Sequence, residues 1–210
     1  TAFKLTQKMR KKLEKSPFFL WIAGNIFEKS KHHLEAEQCF MTLLDRPDTF
    51  FLGLKGQIRT AIGRGDFNRA YDLLKRAEKE FASSPWVLKH FLAIAREQKK
   101  FIDAEKMVLR LDDLGYITKD QSKRQLAYIE YQEALQPKLS QEQKETCLRQ
   151  AHYLDPSLTQ VSEMLVELLQ EQGLHAQALS VLKATWDQAP TQKLGDLYLK
   201  ILSPENERIA

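Results

Sequence analysis

The sequence is poor in the residues that tight turns and cross-links require. It has 8 glycines, 7 prolines and 2 cysteines among 210 residues. So little glycine and proline argues against an all-β protein, which needs many tight turns. The longest apolar run, 18–23, is far shorter than the roughly 18 residues that a membrane span requires. Cys39 and Cys147 lie far apart in helix-like stretches, so we expect two small buried thiols rather than a disulfide.

Acidic residues are almost missing from the first fifteen positions. Six lysines and arginines there face only Glu14, whereas the rest of the chain is close to neutral and the net charge is +4. A nucleic-acid-binding protein needs a basic stripe across its whole fold, so we expect no nucleic-acid partner. The basic start is either a solvated helix face or a segment that lies close to an anionic membrane.

Four alanines recur at a fixed interval of 34 residues: Ala2, Ala36, Ala70 and Ala104. This is the period of the tetratricopeptide repeat (TPR), in which two antiparallel helices form one unit. Helix-forming residues dominate the remainder, and no strand pattern stands out. The sequence therefore predicts an all-α fold, a TPR-like α-solenoid of stacked antiparallel helix pairs that winds as a right-handed superhelix.

The periodicity divides the chain 1–210 into a single array. We predict regular repeats at 17–50, 51–84 and 85–118, an irregular longer repeat at 119–156, a further repeat at 157–190 and a capping helix at 191–202. Residues 1–16 would be the orphan second helix of a truncated repeat. Ser140 followed by Gln143 predicts a capping box at the start of a helix. The unpaired first helix would expose an apolar stripe, so a homodimer through it is one expected partner arrangement.

Several ordered blocks resemble one TPR family. The blocks are 40–49 and 52–56, then 84–88 and 114–117, and finally Gly173, Ala178, Val181, Leu182, Trp186, Ala189, Pro190, Leu194 and Tyr198. In order and spacing they are similar to HemY-type proteins over residues 17–202. Two departures are the turn at His32 and His33, which lacks the usual glycine, and Thr191, where the family often has His-Pro.

The resemblance implies a proteobacterial inner-membrane protein associated with late haem biosynthesis and without a known catalytic residue. In that family, two transmembrane helices precede a cytoplasmic TPR array. We therefore expect this sequence to be a fragment whose N-terminal membrane anchor is missing, with its basic start downstream of the anchor.

The motifs of common enzymes are missing. There is no P-loop, H-E-x-x-H or C-x-x-C, and the glycine-containing string 63–68 lacks the third glycine of a dinucleotide-binding loop. We interpret that string as a turn between helices. The sequence therefore predicts no enzyme, no metal site and no cofactor, although haem remains an alternative because histidine is a common haem ligand.

First helices line the concave side of a TPR stack, so their polar positions define a candidate groove for partners. The candidate residues are Trp21, Asn25, Lys29, Lys55, Arg59, Trp86, Lys89, His90 and Arg96. Lysine and arginine near two indoles suit the carboxylates of an acidic peptide, or porphyrin propionates. Glu163, Glu167 and Glu171, spaced four apart, would form an acidic end of the groove. The alternative is that these charges are ordinary solvated helix faces.

The groove leads to three alternative functions. The first is a scaffold that docks proteins, such as late haem-pathway enzymes. The second is a haem or porphyrin carrier, with His90 as a candidate ligand, since the adjacent pair His32 and His33 points to different faces. The third is a general peptide adaptor of envelope biogenesis that is unrelated to haem.

Overall fold

A computed structural model describes residues 16–202, and these residues form eleven α-helices and no β-strand. In chain order, the helices are α1 Pro17–Lys29, α2 His33–Leu44, α3 Phe50–Gly63, α4 Phe67–Glu80, α5 Pro85–Glu97, α6 Phe101–Asp113, α7 Lys119–Ala134, α8 Gln141–Leu154, α9 Thr159–Glu171, α10 His175–Trp186 and α11 Gln192–Ile201. The all-α prediction is confirmed. None of these helices is both long enough and apolar enough to cross a bilayer. The predicted orphan helix with Ala2 and the homodimer contact through it fall outside the described residues.

The described helices form two compact units whose boundary lies between Lys100 and Phe101. Unit 1 contains α1 to α5, and unit 2 contains α6 to α11. Within each unit, helices that follow one another in sequence pack together. Each of the predicted repeats from residue 17 to 190 contains one pair of helices, but the boundary between the units falls inside the predicted repeat 85–118. The handedness of the superhelix stays a prediction.

Side chains at the helix starts explain where several helices begin. The hydroxyl of Ser16 accepts from the amide of Phe19, and Pro17 follows at the first helical position, where no amide donor is needed. At the start of α8, the predicted capping box is confirmed. The amide of Gln143 donates to Ser140 Oγ at 3.2 Å, and the amide of Ser140 donates to Gln143 Oε1 at 2.9 Å. These bonds satisfy amides that the helix itself leaves without acceptors.

Five helices end in the same tight turn. In each of them, an amide bonds the carbonyl five residues earlier at 2.8–2.9 Å, and the residue before that amide has a positive φ. The residues with positive φ are Lys31, Gly65, Lys99, Gly115 and Gly173. Glycine adopts this conformation without a steric penalty, whereas a side chain there costs about 1 kcal/mol. After α1 and α5, lysine occupies this position in place of glycine, so these two turns carry that cost.

The periodic alanines occupy equivalent positions. Ala36, Ala70 and Ala104 are each the fourth residue of a second helix, in α2, α4 and α6, and each has no exposed surface. Ala178 holds the same position in α10 and is also fully buried. A methyl group at this position lets two helices approach closely, which explains why the 34-residue period is visible in the sequence.

Phe40 of α2 belongs to the buried apolar cluster that α1 and α2 form in unit 1. Its ring has no exposed surface and lies between two helix glycines, Gly24 of α1 and Gly56 of α3. A Cβ atom added at Gly24 would lie 2.5 Å from the ring, and one added at Gly56 would lie 2.2 Å from it. Real Cβ atoms do not approach other carbons so closely, so both glycines are needed for α1 and α3 to enclose the ring.

Unit 2 has a continuous apolar core with one buried polar pair inside it. Ser162 of α9 and Thr185 of α10 are fully buried, and their hydroxyl oxygens lie 2.6 Å apart. The Thr185 hydroxyl also donates to the carbonyl of Val181 at 3.1 Å. Because both hydroxyls are hydrogen-bonded, the pair fixes the contact of the two helices without leaving a buried polar group unsatisfied.

Replacing Gly56 with alanine should lower the free energy of unfolding by about 1–3 kcal/mol, because the new methyl group overlaps the ring of Phe40. Urea denaturation of the purified protein measures the change. Gly63→Ala is the matched control, since the nearest atom to a Cβ there is 3.8 Å away in His33. Equal effects of the two substitutions would contradict the account of Phe40.

Candidate functional site

All nine predicted groove residues lie on first helices of unit 1, and six of them form contacts that define a candidate surface. They are Trp21 and Asn25 of α1, Lys55 and Arg59 of α3, and Trp86 and His90 of α5, and we call them the first-helix surface. Their hydrogen bonds and cation–π contacts divide them into two clusters, one around Arg59 and one around Lys55.

Arg59 is already neutralised by the protein. Its Nη2 donates to Glu28 Oε2 at 2.6 Å and to Asn25 Oδ1 at 2.5 Å. Its guanidinium carbon lies 5.4 Å from the ring centroid of Trp21, within the range of a cation–π contact. These contacts join α1 to α3. Arg59 therefore has its main electrostatic partner inside unit 1, which leaves less of its charge for an external carboxylate.

Lys55 has a different environment. Its Nζ lies 4.5 Å from the ring centroid of Phe51 and 5.0 Å from that of Trp86. Within the described part of the chain, no carboxylate forms a salt bridge with it. The ring of Trp86 is stacked on His90 with centroids 4.0 Å apart, and His90 Nδ1 is 2.8 Å from the carbonyl oxygen of Trp86. The result is a half-buried ammonium group against two aromatic rings.

The other predicted groove cations are exposed. Lys29 is the last residue of α1, and Lys89 and Arg96 lie on α5. Lys29 and Lys89 take part in neither cluster. The sequence predicted five cations in one candidate groove, and the structure gives two of them, Lys55 and Arg59, distinct environments.

Glu28 and Phe51 were missed by the sequence analysis. The repeat register contained a signal for Glu28, because it lies one turn after Asn25 on α1, where the next first helix packs alongside. Phe51 gave no such signal, since an apolar residue at a helix start is most simply interpreted as part of the core.

The three predicted acidic residues lie along α9 of unit 2. Glu163 accepts a hydrogen bond from Lys193 Nζ at 2.6 Å, and this bond raises the pKa of Lys193. Glu171 accepts from Gln141 Nε2 at 3.4 Å, and Glu167 is exposed. Part of this acidic stripe is thus occupied by contacts within unit 2, and its role as an end of the groove stays a prediction.

An opening of about 730 Å³ lies between α10 and α11. Its lining is mostly apolar and includes Trp186, Leu179, Leu194 and Tyr198. Lys183 also lines it. The Trp186 ring comes within 3.6 Å of where a Cβ on Gly195 would be, so the glycine leaves room for the ring. The sequence predicted α11 as a cap for the stack and did not predict this opening.

Three side chains of unit 2 could hold a metal ion: Glu130 and Glu133 of α7 and Cys147 of α8. One ligand atom from each lies within 4.8 Å of the other two, and all three residues are half-buried. Burial, followed by the charges of Glu105 and Glu133, raises the pKa of Glu130 to about 6. Burial, followed by the charge of Glu130, raises the pKa of the Cys147 thiol to about 11. Cys39 is buried as predicted, whereas Cys147 is only half-buried and lies against acidic neighbours that the sequence did not predict.

No protein-family model matches this sequence, and no curated protein matches it. Solved structures do. YrrB, described as a TPR protein with an unusual peptide-binding site, is similar with a TM-score of 0.54 and 11% identity, covering 93% of this chain and 97% of YrrB. MamA AMB-1 is similar with a TM-score of 0.51 and 14% identity, covering 92% of this chain and 97% of MamA. MamA MSR-1 is similar with a TM-score of 0.50 and 14% identity, covering 88% of this chain and 97% of MamA.

The fold is a TPR-type α-solenoid. At such low identity the similarity shows the fold alone. Membership of the HemY-type family stays a prediction. The TPR-type architecture nevertheless gives the first-helix surface a structural context, since it identifies α1, α3 and α5 as equivalent helices of successive repeats.

The cluster of Glu130, Glu133 and Cys147, which we call the acidic cluster, should make the stability of this TPR-type protein depend on pH. Because the pKa of Glu130 is about 6 in the folded protein and 4.5 ordinarily, the folded state binds a proton more tightly. The contribution of this group to stability is therefore complete below pH 4.5 and is lost as the pH rises through 6. Glu130→Gln should raise the free energy of unfolding by about 1 kcal/mol at pH 8, a value reduced for solvent screening, and change it little at pH 4.

Urea denaturation at pH 4 and pH 8 in the presence of EDTA measures this difference, because the chelator removes any metal ion that the cluster holds. Glu97→Gln makes the same chemical change at an exposed position and should give no pH-dependent difference. A Glu130→Gln effect that is the same at both pH values would show that the carboxylate is not perturbed.

Proposed function

We propose that this protein is a non-catalytic scaffold that docks partner proteins on the first-helix surface. The observation that carries the proposal is the row of aromatic and cationic side chains on successive first helices: Trp21 with Arg59, then Lys55 with Trp86. Large aromatic rings at a surface supply binding energy when a partner covers them, and tryptophan and arginine are frequent at such positions. A stack of helix pairs offers a rigid platform for them.

The proposal also includes a cellular setting. The resemblance to HemY-type proteins supports the cytoplasmic part of a protein that is anchored in a bacterial inner membrane and associated with late haem biosynthesis. Its partners would then be late haem-pathway enzymes. YrrB, which is similar in fold, is described as having a peptide-binding site, and this supports a protein or peptide partner for the present chain.

Quantitative affinity capture from bacterial cells tests the proposal, with the full-length anchored protein as bait. The double variant Trp21→Ala, Trp86→Ala should lose the haem-pathway enzymes at least about fivefold, because it removes the two rings that a partner would cover. The matched control is Ile102→Ala, Tyr153→Ala, which removes two exposed apolar side chains of unit 2. Circular dichroism checks that both variants remain helical.

Equal capture by the wild-type protein and the Trp21, Trp86 variant would exclude the first-helix surface as the docking site. Loss of envelope-biogenesis proteins in place of haem-pathway enzymes would instead favour the general peptide adaptor.

One observation favours a second candidate function, a haem or porphyrin carrier. His90 Nδ1 lies 2.8 Å from the Trp86 carbonyl oxygen, which is a hydrogen-bond acceptor, so the neutral ring carries its proton on Nδ1. Its Nε2 then has a free lone pair, the arrangement that suits a histidine ligand of a metal.

Titration with haem separates the two functions. Under the scaffold proposal, the Soret band should show no saturable shift at one equivalent, and His90→Ala should leave the spectrum unchanged. A shift that saturates at one equivalent and is lost in His90→Ala would support the carrier. His152→Ala is the control, because this histidine lies in unit 2 and is half-buried.

A further inference from the structure

We propose that Lys55 is the anion-binding group of the first-helix surface, and that it binds a carboxylate of a partner peptide in which an acidic residue follows an apolar one. This inference rests on the proposed function, since it names the partner chemistry of the same surface.

Lys55 and Arg59 differ in the positive charge that each leaves available to a ligand. Glu28 neutralises Arg59 at 2.6 Å, whereas no described carboxylate pairs with Lys55. A carboxylate that approached Arg59 would have to compete with Glu28 and would be repelled by it. A carboxylate that approached Lys55 meets an uncompensated positive charge in a half-buried environment, where the attraction is stronger than in bulk water. Charge complementarity therefore points to Lys55.

The Lys55 side chain is already ordered. Its ammonium group lies 4.5 Å from the centroid of Phe51 and 5.0 Å from that of Trp86, so cation–π attraction holds it at the surface. Trp86 is in turn held by its stacking on His90 at 4.0 Å. A free lysine side chain loses much rotational freedom when it binds a ligand, and this arrangement reduces that cost.

The surroundings of Lys55 also limit the size and charge of its ligand. Lys55 supplies one positive charge as a compact group, which matches one carboxylate, whereas a phosphate group with nearly two negative charges favours clusters of arginine. Leu52 lies one helical turn before Lys55 on α3, and 37% of its surface is exposed. An apolar residue next to the acidic one in the peptide would pack against Leu52 and the edge of Trp86. The surface therefore fits an acidic, partly apolar peptide.

Nuclear magnetic resonance of the whole chain tests this inference, because the protein contains 3 tryptophans and each gives one indole N–H signal. The probe is acetyl-Leu-Glu-Leu-Glu-amide, and the comparison peptide is acetyl-Leu-Gln-Leu-Gln-amide. The glutamate peptide should shift the Trp86 signal saturably and leave Trp186 of unit 2 unchanged. The glutamine peptide should bind at least about fivefold more weakly, as expected for the loss of one charge pair.

Three variants identify the group that binds the carboxylate. Lys55→Gln should weaken the binding of the glutamate peptide by about fivefold and leave the affinity for the glutamine peptide unchanged. Lys55→Arg should retain most of the affinity for the glutamate peptide. Lys89→Gln is the matched control, because it removes an exposed lysine of α5, the helix that carries Trp86. Each variant keeps Trp86, so the same signal reports binding in all of them.

Four results would overturn the inference: no binding of the glutamate peptide, equal binding of the two peptides, full affinity in Lys55→Gln, or a shift of Trp21 without a shift of Trp86. These failures are distinct from failure of the proposed function. If cellular capture depends on Trp21 and Trp86 but the glutamate peptide does not bind, docking stands and the carboxylate site falls. If the peptide binds through Lys55 but no haem-pathway enzyme is captured, the site stands and the haem assignment falls.

Discussion

The close fit of one ring between two helices governs the geometry of unit 1. Phe40 can be fully buried only because Gly24 and Gly56 have no side chains where the ring lies. This contact sets the distance between α1 and α3, the helices that carry Trp21, Asn25 and Arg59. The hydrogen bonds from Arg59 to α1 can form at that distance and would lengthen if the helices moved apart. The first-helix surface and the core of unit 1 are therefore coupled through the same pair of helices.

The two central cations of the surface illustrate how environment separates residues that look equivalent in sequence. Lys55 and Arg59 are one helical turn apart on α3, yet among the described residues only Arg59 of the two pairs with a carboxylate, that of Glu28. Arginine suits this structural position because its planar group can bond Asn25 and Glu28 together. Lysine suits the other position because a compact ammonium group can lie against two rings at once. The proposed division of labour, with one cation for structure and one for recognition, follows from these contacts.

The periodic features of the fold could be predicted from the sequence, and the individual contacts could not. The helix bounds and the buried alanines follow a 34-residue period, which the spacing of the alanines shows in the sequence. Ser140 followed by Gln143 indicates the start of a helix. The neutralisation of Arg59 depends on Glu28, 31 residues earlier, and on side-chain directions that the register only suggests. The acidic cluster of Glu130, Glu133 and Cys147 brings together two helices of the irregular repeat, where the period slips and the register no longer indicates which residues meet.

The turn after α5 has a consequence for how the chain responds to proteases. Lys99 adopts a left-handed backbone that favours glycine, and the boundary between the two units follows directly after Lys100. Both lysines are exposed, and backbone strain at an exposed turn lowers the cost of local opening. A trypsin-like enzyme, which cuts after lysine, therefore finds two adjacent target bonds at the junction. Cleavage there would divide the chain between the two units without cutting through a helix of either.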